Sequence, residues 1–483
     1  MSISPAAPEV SIASQLSIQR NVLDDVASAG PKPCDLTERG ALEELLKTQD
    51  FYSLEPQNLA TYEYEKLRVA KGDVVPKAAH TLVSGHLRDC LLDPELFIIR
   101  SAADVVELER TCGAIRPYWD PILRGNASER SRLFWRLHEL GILSFRRRPR
   151  AFAGLFFVKK KDGAIRLIVD ARQANRYHKR PPKTCLGSGG AMVGLDLSDE
   201  CLLETAGAGC VSEVEICGSP GDVIDGFFHF KNESVADFFA LEFQVRAGDY
   251  GVASVYNPDT GNHESVGVDE TLWPVVEAMP MGWSWALHIC HSAVEEALVA
   301  VHPCGSDGLV VERKPAPKLS LEVPFVSSYV HTDQVIGLSR ASVGLLHGKV
   351  TTELERRGFT LHAVSGADPD HQTLCVVLDG RRRVLSHQPR RLWRVFLALQ
   401  WLLRVRRFSP EVLRCVVGHL AFIFCLNRPL LSALDECYKQ QSGVLKVWRK
   451  MPLPLVTELR TISGLVWLAR AHFGLAGQSH GAL

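Results

Sequence analysis

The stretch Y-V-H-T-D-Q-V-I-G, Tyr329 to Gly337, runs from an apolar strand through a polar tip into a second apolar strand, the pattern of a tight hairpin. Its tip holds His331, Thr332 and Asp333. Acidic side chains presented between two buried strands can hold metal ions, and this tip offers a single carboxylate. Mg²⁺ demands hard oxygen ligands at about 2.1 Å in near-octahedral geometry, for which a neutral imidazole is a poor substitute. The charges elsewhere fall in blocks. Arg146 to Lys183 holds thirteen Lys and Arg against Asp162 and Asp170, Asp196 to Glu242 carries eleven acids against Lys231, and Arg381 to Arg407 has nine Arg and no acid. Basic, acidic and basic blocks in succession point to phosphate-binding walls around an acidic centre, although the whole chain is neutral. His288, Cys290 and His291 are on a predicted helix with no second ligand pair at suitable spacing, which argues against zinc there.

The elements that must position these groups follow from pattern. With 483 residues, 46% hydrophobic and 23% charged, the chain is expected to divide into two to four subdomains. Residues 1–35, rich in Ser, Ala and Pro, read as a disordered leader, and residues 36–130 as a helical N-terminal region. Ser131 to Phe145 is an amphipathic helix with Leu133, Trp135, Leu137 and Leu140 on one side and Gly141 as its stop. Leu155 to Asp170 makes a hairpin with a basic K-D-G-A turn. Val214 to Lys231 and Val323 to Ser339 supply further strands around a helical S-W-A-L-H-I-C-H-S-A-V-E-E-A-L-V-A, and the chain after Asp379 is mainly helical. The fold class is α+β with a helical C-terminal part. Thirteen Cys without a C-x-x-C pair point to a reducing, intracellular setting, cytoplasm or nucleus. The start lacks a secretory signal and the longest apolar run, Cys415 to Leu426, is too short to span a bilayer, so no membrane partner is expected.

Four motifs, in order between about Leu137 and about Tyr438, resemble a retrotransposon reverse transcriptase, an RNA-directed DNA polymerase. F-F-V-K-K-K-D-G-A-I-R-L-I-V-D-A-R-Q-A-N is similar to the fingers hairpin, and the resemblance implies that Lys160 and Arg166 grip the incoming triphosphate. G-D-V-I-D-G-F-F-H-F resembles the strand carrying the first catalytic Asp, which implies Asp222 as ligand of both metal ions and Phe227 as the bulky residue that excludes a ribose 2′-hydroxyl. M-P-M-G-W-S-W-A resembles the P-x-G loop, with Pro280, Met281 and Gly282 lining the nucleotide pocket. The opening hairpin, followed by V-T-T-E-L-E-R-R-G-F-T-L-H and T-L-C-V-V-L-D-G, is similar to the family's later palm elements, and R-R-L-W-R-V-F-L-A-L-Q-W-L-L-R to its thumb helices. The implied fold is a right-hand polymerase with a helical N-terminal extension: fingers at 131–221, palm with fingers-like insertions at 222–380, and thumb or connection helices at 381–483, ending before any RNase H domain.

The tip departs from the family pattern of Tyr, an apolar residue, then Asp followed by Asp or Asn. Two registers stay open. Matching Tyr329 and Val330 to the first two places puts His331 and Thr332 where carboxylates belong; sliding by two puts Asp333 under the essential Asp and Gln334 under its neighbour. In the second register Asp222 and Asp333 bridge two ions, Mg²⁺ or Mn²⁺, and the chain copies RNA into DNA by nucleotidyl transfer from deoxynucleoside triphosphates onto a template-primer. In the first, the chain is a catalytically degenerate, retroelement-derived protein that binds RNA or DNA without polymerising.

Overall fold

Apolar and β-branched residues in F-A-G-L-F-F-V-K and I-R-L-I-V-D form β1 (Phe152–Lys159) and β2 (Ile165–Asp170), the expected basic-tipped hairpin, with Lys159 opposite Ile165 and Val158 opposite Arg166. Gly163 turns the tip at φ 81°. In this computed structural model the described residues are 20, 23–24, 26–48, 59–70, 74–160, 162–204, 209–211, 214–362, 365–443 and 446–473, so most of the expected leader lies outside them. The hairpin joins a larger mixed sheet in which β1 runs parallel to Ala240–Leu241, and these pair through Thr271–Val276 with Leu143–Arg146. The helix Ala127–Glu139 packs Leu133, Phe134 and Leu137 into the same core. Trp135, expected on its buried side, is instead 44% exposed and stacks on Tyr250 at 5.4 Å.

A second, three-stranded antiparallel sheet stands beside it. Its strands are β3 (Cys217–Asp222), β4 (Phe325–Tyr329) and β5 (Thr332–Gly337), with β5 central. Two helices, α1 (Ala286–Val301) and α2 (Arg340–Arg357), cover one face. That face carries Val326 and Val335, buried in the large core with Val343 and Val350 of α2. Phe325 and Ile336 project to the other face and pack with Ile216 and Leu378. Gly358, at φ 92°, ends α2 and returns the chain along β3, where Leu361 bridges Val223.

The helices Pro389–Val405, Pro410–Phe424 and Leu453–Leu465 make a separate apolar core. Residues 36–130, read from sequence as a helical N-terminal region, contain helices and short strands that pack into two different cores. The helix Glu38–Thr48 inserts Ala41, Leu42 and Leu45 into that C-terminal core, whereas Tyr62, Leu91 and Leu123 belong to the core around β1 and β2. Ion pairs follow the same docking: Arg404 meets Glu38 at 2.7 Å, Arg394 meets Glu44 at 3.5 Å, and Arg390 meets Asp35 at 2.8 Å. Part of the Arg381 to Arg407 run is therefore neutralised within the fold. Among the described residues no helix is long and apolar enough to cross a membrane.

Three of the four arginines before β1 are likewise ion-paired within the fold. Arg146 is buried with Glu277 at 3.9 Å, and Arg147 holds Glu264 and Glu270 at 2.5 and 2.6 Å. Asp237, 1% exposed, faces Arg150 Nε at 3.8 Å without a hydrogen bond to either carboxylate oxygen. Burial pushes its pKa up from 3.8 to about 6, against the lowering effect of Arg150 and Arg146. The folded chain thus keeps a proton that the unfolded chain has lost, so stability falls as pH rises from 3.8 to about 6 and stays lower above it. Asp237→Asn is expected to be more stable than the native chain at neutral pH by roughly 2–3 kcal/mol. In urea unfolding the gap should close as pH falls towards 4; a gap independent of pH would contradict this account.

Candidate active site

The hairpin of β4 and β5 closes on Val330 and His331, because Tyr329 and Thr332 are directly paired. Val330 takes φ 58°, a left-handed conformation that strains a β-branched residue. This register places Thr332 opposite Asp222 and Asp333 opposite Gly221. Successive strand residues point to opposite faces, so Asp222 and Asp333 part company. Asp333 turns under the sheet, 1% exposed, 3.3 Å from His347 Nε2 of α2. His347 Nδ1 in turn meets the Ser219 hydroxyl, which donates to the Ser365 carbonyl at 2.7 Å. A Cβ on Gly221 would lie 2.2 Å from Asp333 Oδ1, so only glycine lets that carboxylate fit. In this register the turn falls at Val330 and His331, and the Asp222 and Asp333 side chains lie on opposite faces of the sheet.

Two imidazoles flank Asp222 instead. His331 Nε2 stands 3.6 Å from Oδ1 and His362 Nε2 stands 3.8 Å from Oδ2. His362 is fixed by its own backbone N–H, which donates to the Asp222 carbonyl at 2.9 Å. His331 is packed on two sides. Phe227 meets its ring edge-on at 6.1 Å between centroids, and a Cβ on Gly226 would lie 2.6 Å from the His331 Cβ. Burial raises the pKa of Asp222, reinforced by Asp333 and Asp225 and opposed by His331 and His362. Burial lowers that of His331, opposed by Asp222 and reinforced by the positive charge of Arg166. Arg166 of β2 therefore acts on the sheet end where Asp222 lies. Lys160 sits at the hairpin tip, its N–H bonded to the Ala164 carbonyl at 2.8 Å.

The loop Pro280 to Gly282 is clamped onto the end of β2. A Cβ on Gly282 would fall 2.3 Å from the Val169 carbonyl oxygen. Asn175 spans the junction, donating to the Gly282 carbonyl at 2.9 Å and accepting from the Ser284 N–H at 2.8 Å. Met281 packs against Phe156, Val158 and Ile168, and Trp283 Nε1 donates to His178 at 2.9 Å. Residues 160, 166 and 280–282 are thus linked through one hairpin and its clamp, while Asp222 lies on the separate three-stranded sheet. On α1, His288 bonds Thr184 at 2.9 Å while Cys290 and His291 are buried, and the three do not converge.

His362 is the residue that sequence reasoning missed. The G-F-T-L-H segment reads as a strand after a helix, and nothing in it marks its last residue as chemical. Its position beside Asp222 comes from the bridge between Val223 and Leu361, a long-range pairing with no local signature. Mg²⁺ does not fit what surrounds Asp222: it keeps oxygen ligands in octahedral array, and the nearest side chains here offer imidazole nitrogen. Among the described residues no three or more His, Cys, Asp and Glu side chains gather as ligands of one ion.

Asp333 and Asp222 should therefore respond in opposite ways to substitution. Asp333→Ala empties a buried position beside His347 and is expected to lower stability by about 1–3 kcal/mol. Asp222→Asn removes a carboxylate whose charge is disfavoured by burial and is expected to leave the melting temperature unchanged or raised. Equal losses on thermal unfolding would contradict the two-face arrangement.

No known protein-family profile matches the chain, and no curated protein matches it. Among solved structures it is similar to a foamy viral protease-reverse transcriptase, dRH, in complex with double-stranded DNA, at 13% sequence identity and a TM-score of 0.47. The similarity covers 91% of this chain and 62% of that one, so the chain spans less than two thirds of its length.

Proposed function

We propose that the chain is a reverse transcriptase-like protein, retrotransposon-derived, that binds a nucleic-acid template-primer and has lost Mg²⁺-dependent polymerisation. The observation that carries this reading is the tip register, with His331 at the turn 3.6 Å from Asp222 and Asp333 paired to Gly221 on the opposite face. In-line nucleotidyl transfer relies on carboxylates that bridge two ions and stabilise both the attacking and the leaving oxygen. With a single carboxylate on that face, the transition-state charge lacks its clamp and the rate collapses.

The motif order supports the rest. On this reading β1 and β2 with their sheet are the fingers, β3 to β5 with α1 and α2 the palm, and the helices from Pro389 onward the thumb. Lys160 and Arg166 then face phosphate, Phe227 stands against the sugar, and Pro280 to Gly282 form the floor under the base. Among the described residues Arg148, Lys159, Lys160, Arg166, Arg180 and Lys183 have no ion-pair partner, and they supply the positive charge for a polyanion.

Template-primer binding followed by fluorescence anisotropy is expected to weaken by roughly tenfold or more between low and physiological salt. No binding, or binding indifferent to salt, counts against a nucleic-acid partner. Primer extension with Mg²⁺ and deoxynucleotides is expected to stay at background for the native chain and to rise in His331→Asp. Vigorous extension by the native chain, abolished by Asp222→Asn, would restore the reading of an active RNA-directed DNA polymerase.

A further inference from the structure

Arg390 and Asp35 are 355 positions apart in the chain and meet in the fold. Arg390 donates to both Asp35 oxygens, at 3.1 and 2.8 Å, and lies 3.5 Å from one oxygen of Glu44. Arg394 lies 3.5 Å from the other, and Arg404 is 2.7 Å from Glu38. Two kinds of contact hold this acidic segment on the helix Pro389–Val405, and they differ in strength. Ala41, Leu42 and Leu45 are buried in the C-terminal core, the Trp393 indole N–H is shared between the Ala29 and Gly30 carbonyls, and Arg470 donates to the Ser28 hydroxyl. That anchor is mainly apolar. The ion pairs lie in water instead: the Asp35 and Arg404 side chains are 59% and 73% exposed, and exposed pairs are weak and screened by salt. A guanidinium binds phosphate with the same fork that it offers a carboxylate. Arg391, Arg406 and Arg407, on and just after the same helix, have no ion pair among the described residues, so a polyanion lying along it meets free and held cations together.

We propose that Asp35, Glu38 and Glu44 are a built-in competitor of nucleic acid: they stand in for phosphate on Arg390, Arg394 and Arg404, and RNA or DNA bound along the helix Pro389–Val405 displaces these carboxylates while the helix Glu38–Thr48 stays docked. The apolar anchor fixes the acids at a high local concentration, and the weak, exposed pairs let them yield. Each phosphate that takes over an arginine gains only the difference between two anions on one guanidinium, and the freed carboxylate takes up a counterion. The segment therefore lowers both the affinity for a polyanion and the dependence of that affinity on salt. The inference deepens the nucleic-acid reading above and rests on it.

The test is binding of a labelled DNA template-primer duplex to the full chain over a salt series, comparing the native protein with the double variant Asp35→Asn, Glu44→Gln. The variant is expected to bind at least about threefold more tightly at low salt, with a slope of log affinity against log salt steeper by roughly 1–2, the contribution of one or two freed cations. Adding Arg390→Gln should return most of the gain. Glu38→Gln, which frees Arg404, is an independent second variant with the same expected direction. Asp89→Asn with Glu139→Gln removes the same charge from exposed acids of other helices and should leave affinity within about twofold of native. Unchanged affinity and slope in variants that melt as the native chain does, or an equal gain from the Asp89 and Glu139 pair, overturns the competitor while a native chain that binds keeps the nucleic-acid reading. Absence of binding by native and variant chains alike at low salt overturns both.

Discussion

The pairing of β3 with β5 is the constraint on which the site depends. Six residue pairs run from Thr332 and Asp222 to Gly337 and Cys217, and a strand offers no intermediate orientation between its two faces. Once Thr332 lies opposite Asp222, everything else at the tip is determined. Asp333 must go under the sheet, Gly221 must lack a side chain, and His331 must occupy the turn. A shift by one residue would exchange Val335 and Ile336 between the two packed faces and turn Asp333 away from His347. A shift by two keeps the faces but would drag the turn onto Thr332 and Asp333, pulling Asp333 away from the buried His347.

This explains which parts were legible in the sequence. The hairpin of β1 and β2, the strands on either side of α1, and the tight turn at Tyr329 are local patterns of alternation and punctuation, and they formed where the pattern put them. The P-x-G loop was legible as a glycine needing close backbone approach, and its contact is the Val169 carbonyl. The choice between tip registers was not legible, because the slip of two preserves alternation; the buried His347 and Ser219 on a distant helix and strand decide it. His362 was invisible for a related reason, since only tertiary pairing sets it beside Asp222.

Charge was the least transferable signal. Runs of Arg and Lys looked like phosphate-binding walls, but Arg146, Arg147 and Arg150 hold internal acids from residues 237–277, and Arg390, Arg394 and Arg404 hold acids of residues 35–44. Sequence records the charge and not its partner. Among the described residues of these runs, cations without an ion pair remain on the hairpin at Lys159, Lys160 and Arg166, in the coil at Arg180 and Lys183, and at Arg381, Arg382, Arg391, Arg406 and Arg407, so the free basic charge is less than composition implied.

The docking of Glu38–Thr48 onto helices that begin at Pro389 has a consequence for how the chain acquires its structure. Ala41, Leu42 and Leu45 leave the ribosome early and have no partner until residues more than three hundred positions later have been made. Closing that contact is an entropically slow, high-contact-order event. During synthesis an apolar helix face waits in solvent, which makes this segment the natural place for a holdase to bind and for unassisted chains to aggregate.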